Sequence, residues 1–469
     1  MADPLMELDA VGHAAAIRTG SFSPAEAVEA AARRIEALNP SLNAVIHLRA
    51  ERALEEARGD LPDAPFRGVP LLLKDLGCGS AGDPRHDGMR AARDAGWVEA
   101  EDSPLAARFR QLGFVILGRT NTPELGLLPT TEPDAHGPTR NPWDPGRSTG
   151  GSSGGAAAAV SARMVPVAHA SDSGGSIRIP ASECGLVGLK PSRGRTPRGS
   201  GVDTPLGVDH VVSRSVRDAA AILDGLSVRG PGGFAAAAGE DPGGLRIGVT
   251  TTSPGGFVPT HPDAEAAALA VARSLEELGH EVTEGGPGAL ADPDAGAAFL
   301  YGLGVVFGAE AADGLDGWSL RLGRPIEAGD VEVHTWTLAQ MGRATSRRAA
   351  AEAWVALQGF ADQVIAWWGD RDLLLTPTIA EPPPLLGEFG STADDPLAAG
   401  IRAGRLTPFT TPFNVTGQPA ISIPAAWNGD GLPIGVQLVA APGREDVLIR
   451  VAAQLEGARG WTGRRPPLD

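Results

Sequence analysis

Short apolar runs of strand length recur along the chain, separated by stretches with helical spacing. Val69-Pro70-Leu71-Leu72-Leu73 is continuously apolar, as expected of a strand covered on both faces, and it ends at Lys74. Phe114-Val115-Ile116-Leu117 repeats the pattern after a helical stretch around Ser103 to Leu112. Val165-Pro166-Val167-Ala168, inside the run Met164 to Ala170, repeats it again after Ala156 to Val160. Leu245 to Val249 and Asp372 to Pro377 read as two more strands, and Ala264 to Leu278 as an amphipathic helix. The first helix is predicted from Ser23 to Asn39: Ser23 and Glu26 form a capping box, Pro24 takes the first helical position, and Asn39-Pro40 marks the stop. Strands alternating with helices predict a layered α/β core.

No linker divides the chain, so the 469 residues are read as one domain, with a core at about 66–215 and a more variable, substrate-side stretch at about 231–347 rich in Gly, Ala and Asp. Hydrophobic residues at 42% and aromatics at 5% fit a globular core built from Ala, Val and Leu. The net charge of −17 argues against a wide electropositive surface, and so against nucleic acid and anionic membranes as partners. Two cysteines, Cys78 and Cys184, make neither a disulfide framework nor a zinc pattern, which suits a reducing compartment. The opening Met-Ala-Asp-Pro-Leu-Met-Glu has no basic or apolar leader, and cytoplasmic residence is the expectation.

Lysine occurs only at Lys74 and Lys190 among 40 basic residues. Arginine keeps its proton, whereas a desolvated lysine becomes a neutral amine near physiological pH, so these two lysines are candidates for work that arginine cannot do. Packing alone would also explain them.

Several motifs compete. Gly77-Cys78-Gly79-Ser80-Ala81-Gly82 fits a GxGxxG string, but Asp83-Pro84 follows where a phosphate-binding helix should begin, so a loop is expected. No P-loop is present, since neither lysine has the required frame. Gly150-Gly151-Ser152-Ser153-Gly154 matches a nucleophile elbow, which requires a strand directly before the serine; Arg140 to Gly150 instead reads as a loop with two prolines. Ser153 is then expected to cap the helix entering Ala156, leaving Ser152 at its positive end. The second serine site follows the strand Met164 to Ala170 and runs Ser171-Asp172-Ser173-Gly174-Gly175-Ser176-Ile177-Arg178-Ile179-Pro180. Its glycines admit close approach of a ligand to the backbone, and successive N–H groups of Ser173, Gly174, Gly175 and Ser176 form a candidate oxyanion hole around an intermediate on Ser176. An ordinary glycine-rich turn is the alternative. One neutralisable lysine and two glycine-flanked serines together make a proton relay without histidine.

Gly150 to Gly155, Ser171 to Pro180 and Cys184-Gly185-Leu186-Val187-Gly188-Leu189-Lys190-Pro191 together resemble the signature of the amidase signature family, and the resemblance extends from Lys74-Asp75-Leu76 to Leu432-Pro433-Ile434-Gly435-Val436-Gln437-Leu438. Thr120 to Glu124, Gly137 to Trp143 and Pro191 to Arg195 are similar to the bacterial branch that includes 6-aminohexanoate cyclic dimer hydrolase. The resemblance implies an α/β/α fold with a mixed sheet surrounded by helices. It matches Lys74 to the catalytic lysine, Ser152 to a bridging serine after a cis peptide bond, and Ser176 to the acyl-forming nucleophile. It also assigns Asp172 and Arg178 to bracing the nucleophile loop and Lys190 to a structural turn. His169 and Cys184 are expected to be packed core residues. Ser171-Asp172 stands where many members read Thr-Asp, a change expected to touch loop geometry but no catalytic side chain.

The expected activity is hydrolysis of a small-molecule amide, linear or cyclic, with no metal or organic cofactor implied; a homodimer is compatible with it. An amide-forming acyltransferase, a glutamine-dependent amidotransferase subunit and a non-catalytic binding protein of the same fold are the alternatives.

Overall fold

The computed structural model describes residues 4–199, 205–230 and 232–468. The leader reading, which rests partly on residues 1–3, and the Pro231 boundary lie outside those residues. One eleven-stranded sheet organises the chain: β1 Val45–Leu48, β2 Pro70–Lys74, β3 Val115–Thr120, β4 Val167–Asp172, β5 Val187–Lys190, β6 Val208–Ser213, β7 Arg246–Val249, β8 Glu281–Glu284, β9 Leu373–Pro377, β10 Ala420–Trp427 and β11 Pro433–Ala440. Their order is β1-β3-β2-β4-β6-β5-β10-β11-β9-β7-β8. β2 is parallel to β3 and β4, and β7 to β8 and β9, while the remaining pairs are antiparallel. The sheet is therefore mixed, and the strands predicted at 69–73, 114–117, 165–168, 245–249 and 372–377 are all in it.

The continuous apolar run is explained by position: β2 is flanked by strands on both sides, and Leu71, Leu72 and Leu73 are wholly buried between helical layers. Each such side chain contributes roughly 2 kcal/mol by leaving water. Because β2 and β4 run parallel, Lys74 and Asp172 emerge at the same edge of the sheet. Register fixes the neighbours: Lys74 lies beside Thr120, and Ser171 and Asp172 pair with Asp209 and Val208 of β6.

Helix Ala10–Arg18, which the pattern does not predict, comes before the helix predicted from Ser23. That later helix carries the expected capping box, with Ser23 N–H donating to Glu26 Oε2 at 2.7 Å and Glu26 N–H to Ser23 Oγ at 3.2 Å. It does not stop at Asn39-Pro40 but spans Pro24–Leu42. Pro40 sits exposed in the last turn, where one missing N–H is tolerated. The helix ends at Asn43, whose left-handed backbone donates to Asn39 O at 2.8 Å. The stretch at 231–347 contributes a 30-residue helix, Pro293–Leu322, followed by Val333–Ala344. Their backbones touch, since a Cβ on Gly342 would lie 2.0 Å from Gly308 O. The long helix is apolar and long enough to cross a bilayer, but Phe299, Leu303 and Val306 are buried in a cluster with Leu357 and Phe360.

Candidate active site

Lys74 is wholly buried, and its Nζ donates to Ser152 Oγ at 2.7 Å and to Ser171 Oγ at 3.0 Å. Burial disfavours the ammonium and pulls the lysine down to about 7, against the upward pull of the Asp209, Asp172 and Asp87 charges. The amine is thus a base near neutrality, as the lysine bias suggested. Its backbone N–H is held by His169 Nδ1 at 3.3 Å, and His169 Nε2 faces Asp209 Oδ1 at 3.1 Å. Burial holds His169 below its ordinary value, so it is the neutral core histidine expected, fixed by Asp209 as Nε2–H donor.

Ser152 follows a cis peptide bond from Gly151, and no strand precedes it, so the elbow arrangement is absent there. Ser153 stands at the start of helix Gly154–Ser161 without capping it. Its hydroxyl is engaged with the backbone of Ser171 instead, accepting from Ser171 N–H and donating to Ser171 O, both at 3.3 Å. The supporting role assigned to Ser153 is therefore to tie the first serine loop to β4, not to cap. Ser171 also departs from the expectation: its hydroxyl touches the lysine directly.

The loop after β4 is braced as the resemblance implied. Arg178 Nε donates to Asp172 Oδ2 and Nη2 to Asp172 Oδ1, both at 2.9 Å, with both side chains fully buried. Burial pushes Asp172 upward, but the Arg178 charge and hydrogen bonds outweigh it, helped by Lys190 and Asn414, and hold the carboxyl at about 2. Arg178 also donates to Gln437 Oε1 at 2.7 Å and Asn414 Oδ1 at 2.6 Å. Thr410 and Thr411 hydroxyls donate to Gly174 O at 2.7 and 2.9 Å. One expected oxyanion donor is reassigned: Gly175 N–H donates to Asp172 Oδ1 at 2.7 Å, because the carboxylate lies under the turn. Gly175 has φ +135°, and a Cβ there would lie 2.4 Å from Thr410 Oγ1.

Ser152, Ser171, Ser173, Gly174 and Ser176 line one cavity of about 630 Å³ with largely apolar walls, among them Leu125, Leu128, Phe299, Leu303 and Phe307. Ser152 Oγ is held by Lys74; Ser176 lines the same cavity, and among the described residues no hydrogen bond joins the two serines. Catalytic contacts are often loose before substrate binds. Lys190, the other lysine, is also buried and is drawn down to about 7 by burial and the Arg178 charge, but it donates to Pro191 O at 3.0 Å. Cys184 is buried with Sγ toward Thr149 O at 3.5 Å, a packed residue as expected.

Among the described residues, Asp75, His86 and His136 form a group of metal-type ligands with atoms within 4.8 Å. Those atoms are already engaged: His86 Nδ1 faces His136 Nε2 at 3.3 Å, and Asp75 Oδ1 accepts His86 N–H at 2.9 Å. Sequence reading missed Asp209, Asn414 and the two threonines. A charge inside the apolar run Val208 to Val212 was the available signal for Asp209; Asn414, more than 230 positions from the loop it holds, had none.

The eleven-stranded mixed sheet among helices, with its two serine loops opening on one cavity, has the α/β architecture of the amidase signature structures. The family described as Amidase matches residues 26–449, and the chain belongs to it, the amidase signature family. It is 43% identical to 6-aminohexanoate-cyclic-dimer hydrolase of Paenarthrobacter ureafaciens over 98% of this chain and 96% of that one. The solved structure of a 6-aminohexanoate cyclic dimer hydrolase complexed with substrate superposes with a TM-score of 0.93 at 41% identity, covering 98% of this chain and 99% of that chain. A bacterial aryl acylamidase superposes with a TM-score of 0.88 at 27% identity over 99% of this chain and 100% of its own. The chain is accordingly an amidase-family hydrolase acting on amides.

Proposed function

We propose that the chain cleaves a small aliphatic amide, cyclic or linear, through an acyl-enzyme on Ser176. The observation that carries this reading is the 2.7 Å contact between the buried Lys74 amine and Ser152 Oγ at the wall of the cavity that Ser176 also lines. Neutral Lys74 takes the Ser152 proton as Ser152 takes that of Ser176, and the Ser176 oxygen attacks the carbonyl carbon. Backbone N–H groups of the Ser173–Ser176 turn, other than that of Gly175, hold the oxyanion. Ser152, resupplied by Lys74, protonates the departing nitrogen as the C–N bond breaks. Water then attacks the ester, passing its proton along the same path, and Ser176 is released. The similarity to 6-aminohexanoate cyclic dimer hydrolase and the apolar cavity walls support an aliphatic substrate.

Treatment with a fluorophosphonate, intact-mass measurement and peptide mapping test this on wild type and Lys74→Ala. One adduct on Ser176, formed far more slowly in the variant, is expected. An adduct on Ser152 that ignores Lys74 would overturn the relay. Product analysis with competing amines separates hydrolysis from acyl transfer.

A further inference from the structure

Helix Pro293–Leu322 presents one face to the cavity, where Phe299, Leu303, Phe307, Glu310, Gly314 and Trp318 recur every three or four residues. Glu310 is the only carboxyl on that stripe. Its Oε1 is shut off from solvent and has no hydrogen-bond partner among the described residues. Burial pushes the group up to about 7, against the attraction of Arg198 and with the repulsion of Asp313. Other deeply placed carboxylates here are answered by the fold: Asp172 by Arg178, Asp209 by His169 and Arg198, and Glu445 by Arg195. Glu124 and Glu183 also carry unanswered oxygens, but neither lines the cavity. An oxygen buried without a donor disfavours the ionised carboxyl, and a ligand donor on the side of the group that forms the cavity wall would offset that.

We propose that Glu310 selects the substrate, accepting a hydrogen bond from a nitrogen donor, an ammonium or a second amide N–H, on the non-reacting part of an otherwise aliphatic amide. This rests on the cavity being the active site. Phe299, Leu303 and Phe307 supply the apolar surface that a methylene chain needs between the reacting carbonyl and that nitrogen. A cationic end would also draw Glu310 into its ionised form and strengthen the contact.

The test compares kcat/KM of the full chain on p-nitroanilides of ω-amino acids of four to eight carbons with the isosteric alkanoyl anilides, in which methyl replaces the amine. Wild type is expected to prefer the amino member at least tenfold at one or more lengths, chiefly through KM. Glu310→Leu should bring that ratio to about one and speed cleavage of the alkanoyl member. No preference in wild type, or the same ratio in Glu310→Leu, overturns the proposal. Should the leucine variant not fold, Glu310→Gln decides, and a ratio that falls less than threefold sinks the idea. Fluorophosphonate labelling of wild type separates the two readings: a label on Ser176 with no amino preference fails Glu310 alone, whereas no label and no cleavage of any anilide fails the relay and the proposal together.

Discussion

Raising the pH from 5.5 to 8.5 probes Lys74 directly. With the amine drawn to about 7 by burial, and the Asp209, Asp172 and Asp87 charges opposing, the neutral fraction rises from about 3% to about 97% over that interval, a gain of roughly 30-fold that then levels off. A lysine left at its ordinary value would gain about 1,000-fold across the same interval and keep rising to pH 10. The second-order rate of fluorophosphonate inactivation reads this without a known substrate. Asp75 and Glu310 also lie near 7, so a midpoint alone does not name the group. The midpoint of an amine moves strongly with temperature and that of a carboxyl hardly at all, and Lys74→Arg should abolish the rise, because a guanidinium does not become neutral. A flat profile, an unbroken climb to pH 10, or a temperature-insensitive midpoint retained in Lys74→Arg would refute the assignment.

Other perturbations follow from the same geometry. Lys74→Met should be inactive yet more stable, since the native state binds fewer protons than the unfolded chain between about pH 7 and 10.5. The buried-amine penalty is full below pH 7, at most about 5 kcal/mol, and shrinks as pH rises, so urea titrations should show the gap between variant and wild type narrowing by about 2 to 3 kcal/mol from pH 6 to pH 9. A gap independent of pH would contradict this. Asp172→Asn leaves Arg178 buried without its carboxylate and should cost about 3 to 5 kcal/mol in denaturant unfolding, whereas a loss below about 1 kcal/mol would show the pair to be dispensable. Gly175→Ala should slow Ser176 labelling by about 100-fold or more with circular dichroism unchanged, because the loop must move off Thr410; wild-type labelling would show that the loop tolerates the shift. Lys190→Met should keep the wild-type pH midpoint of labelling, while loss of the pH response would make it part of the relay.

Five of the eleven strands are legible as apolar runs, whereas β5, β6, β10 and β11, buried as deeply, are broken by Gly, Pro or polar residues and carry no such signal. β2, β3, β4, β7 and β9 are apolar runs bounded by turns, and burial on both faces leaves no alternation to confuse them. Helix Pro24–Leu42 runs past Asn39-Pro40, where the sequence pattern marks a stop, because a proline in an exposed last turn removes only one hydrogen bond. In the candidate site, Lys74, Ser152, Asp172, Ser176 and Arg178 stand in local motifs, which is why the sequence singles them out. Asp209 and Asn414 reach the site through strand register and a loop from the far end of the chain, which no local pattern encodes. Ser153 and Gly175 were placed in the right loops with the wrong partners: a cap and an oxyanion donor are local inferences, and β4 offered both groups a non-local bond.

The two lysines separate cause from use. Both are fully buried, and burial draws both to about 7, so a depressed lysine is a consequence of enclosure and does not by itself mark catalysis. Their neighbours differ. Lys74 meets two hydroxyls, both of which line the cavity that Ser176 also lines, whereas Lys190 meets the carbonyl of Pro191, which has no proton to give. Wherever a permanent charge is buried beside a carboxylate here, as at Arg178 and Arg195, the residue is arginine, with its fixed fork of donors. A chain that otherwise uses only arginine carries lysine at two enclosed positions where burial brings the amine within reach of deprotonation near neutrality, and at just one of them does that amine face a hydroxyl.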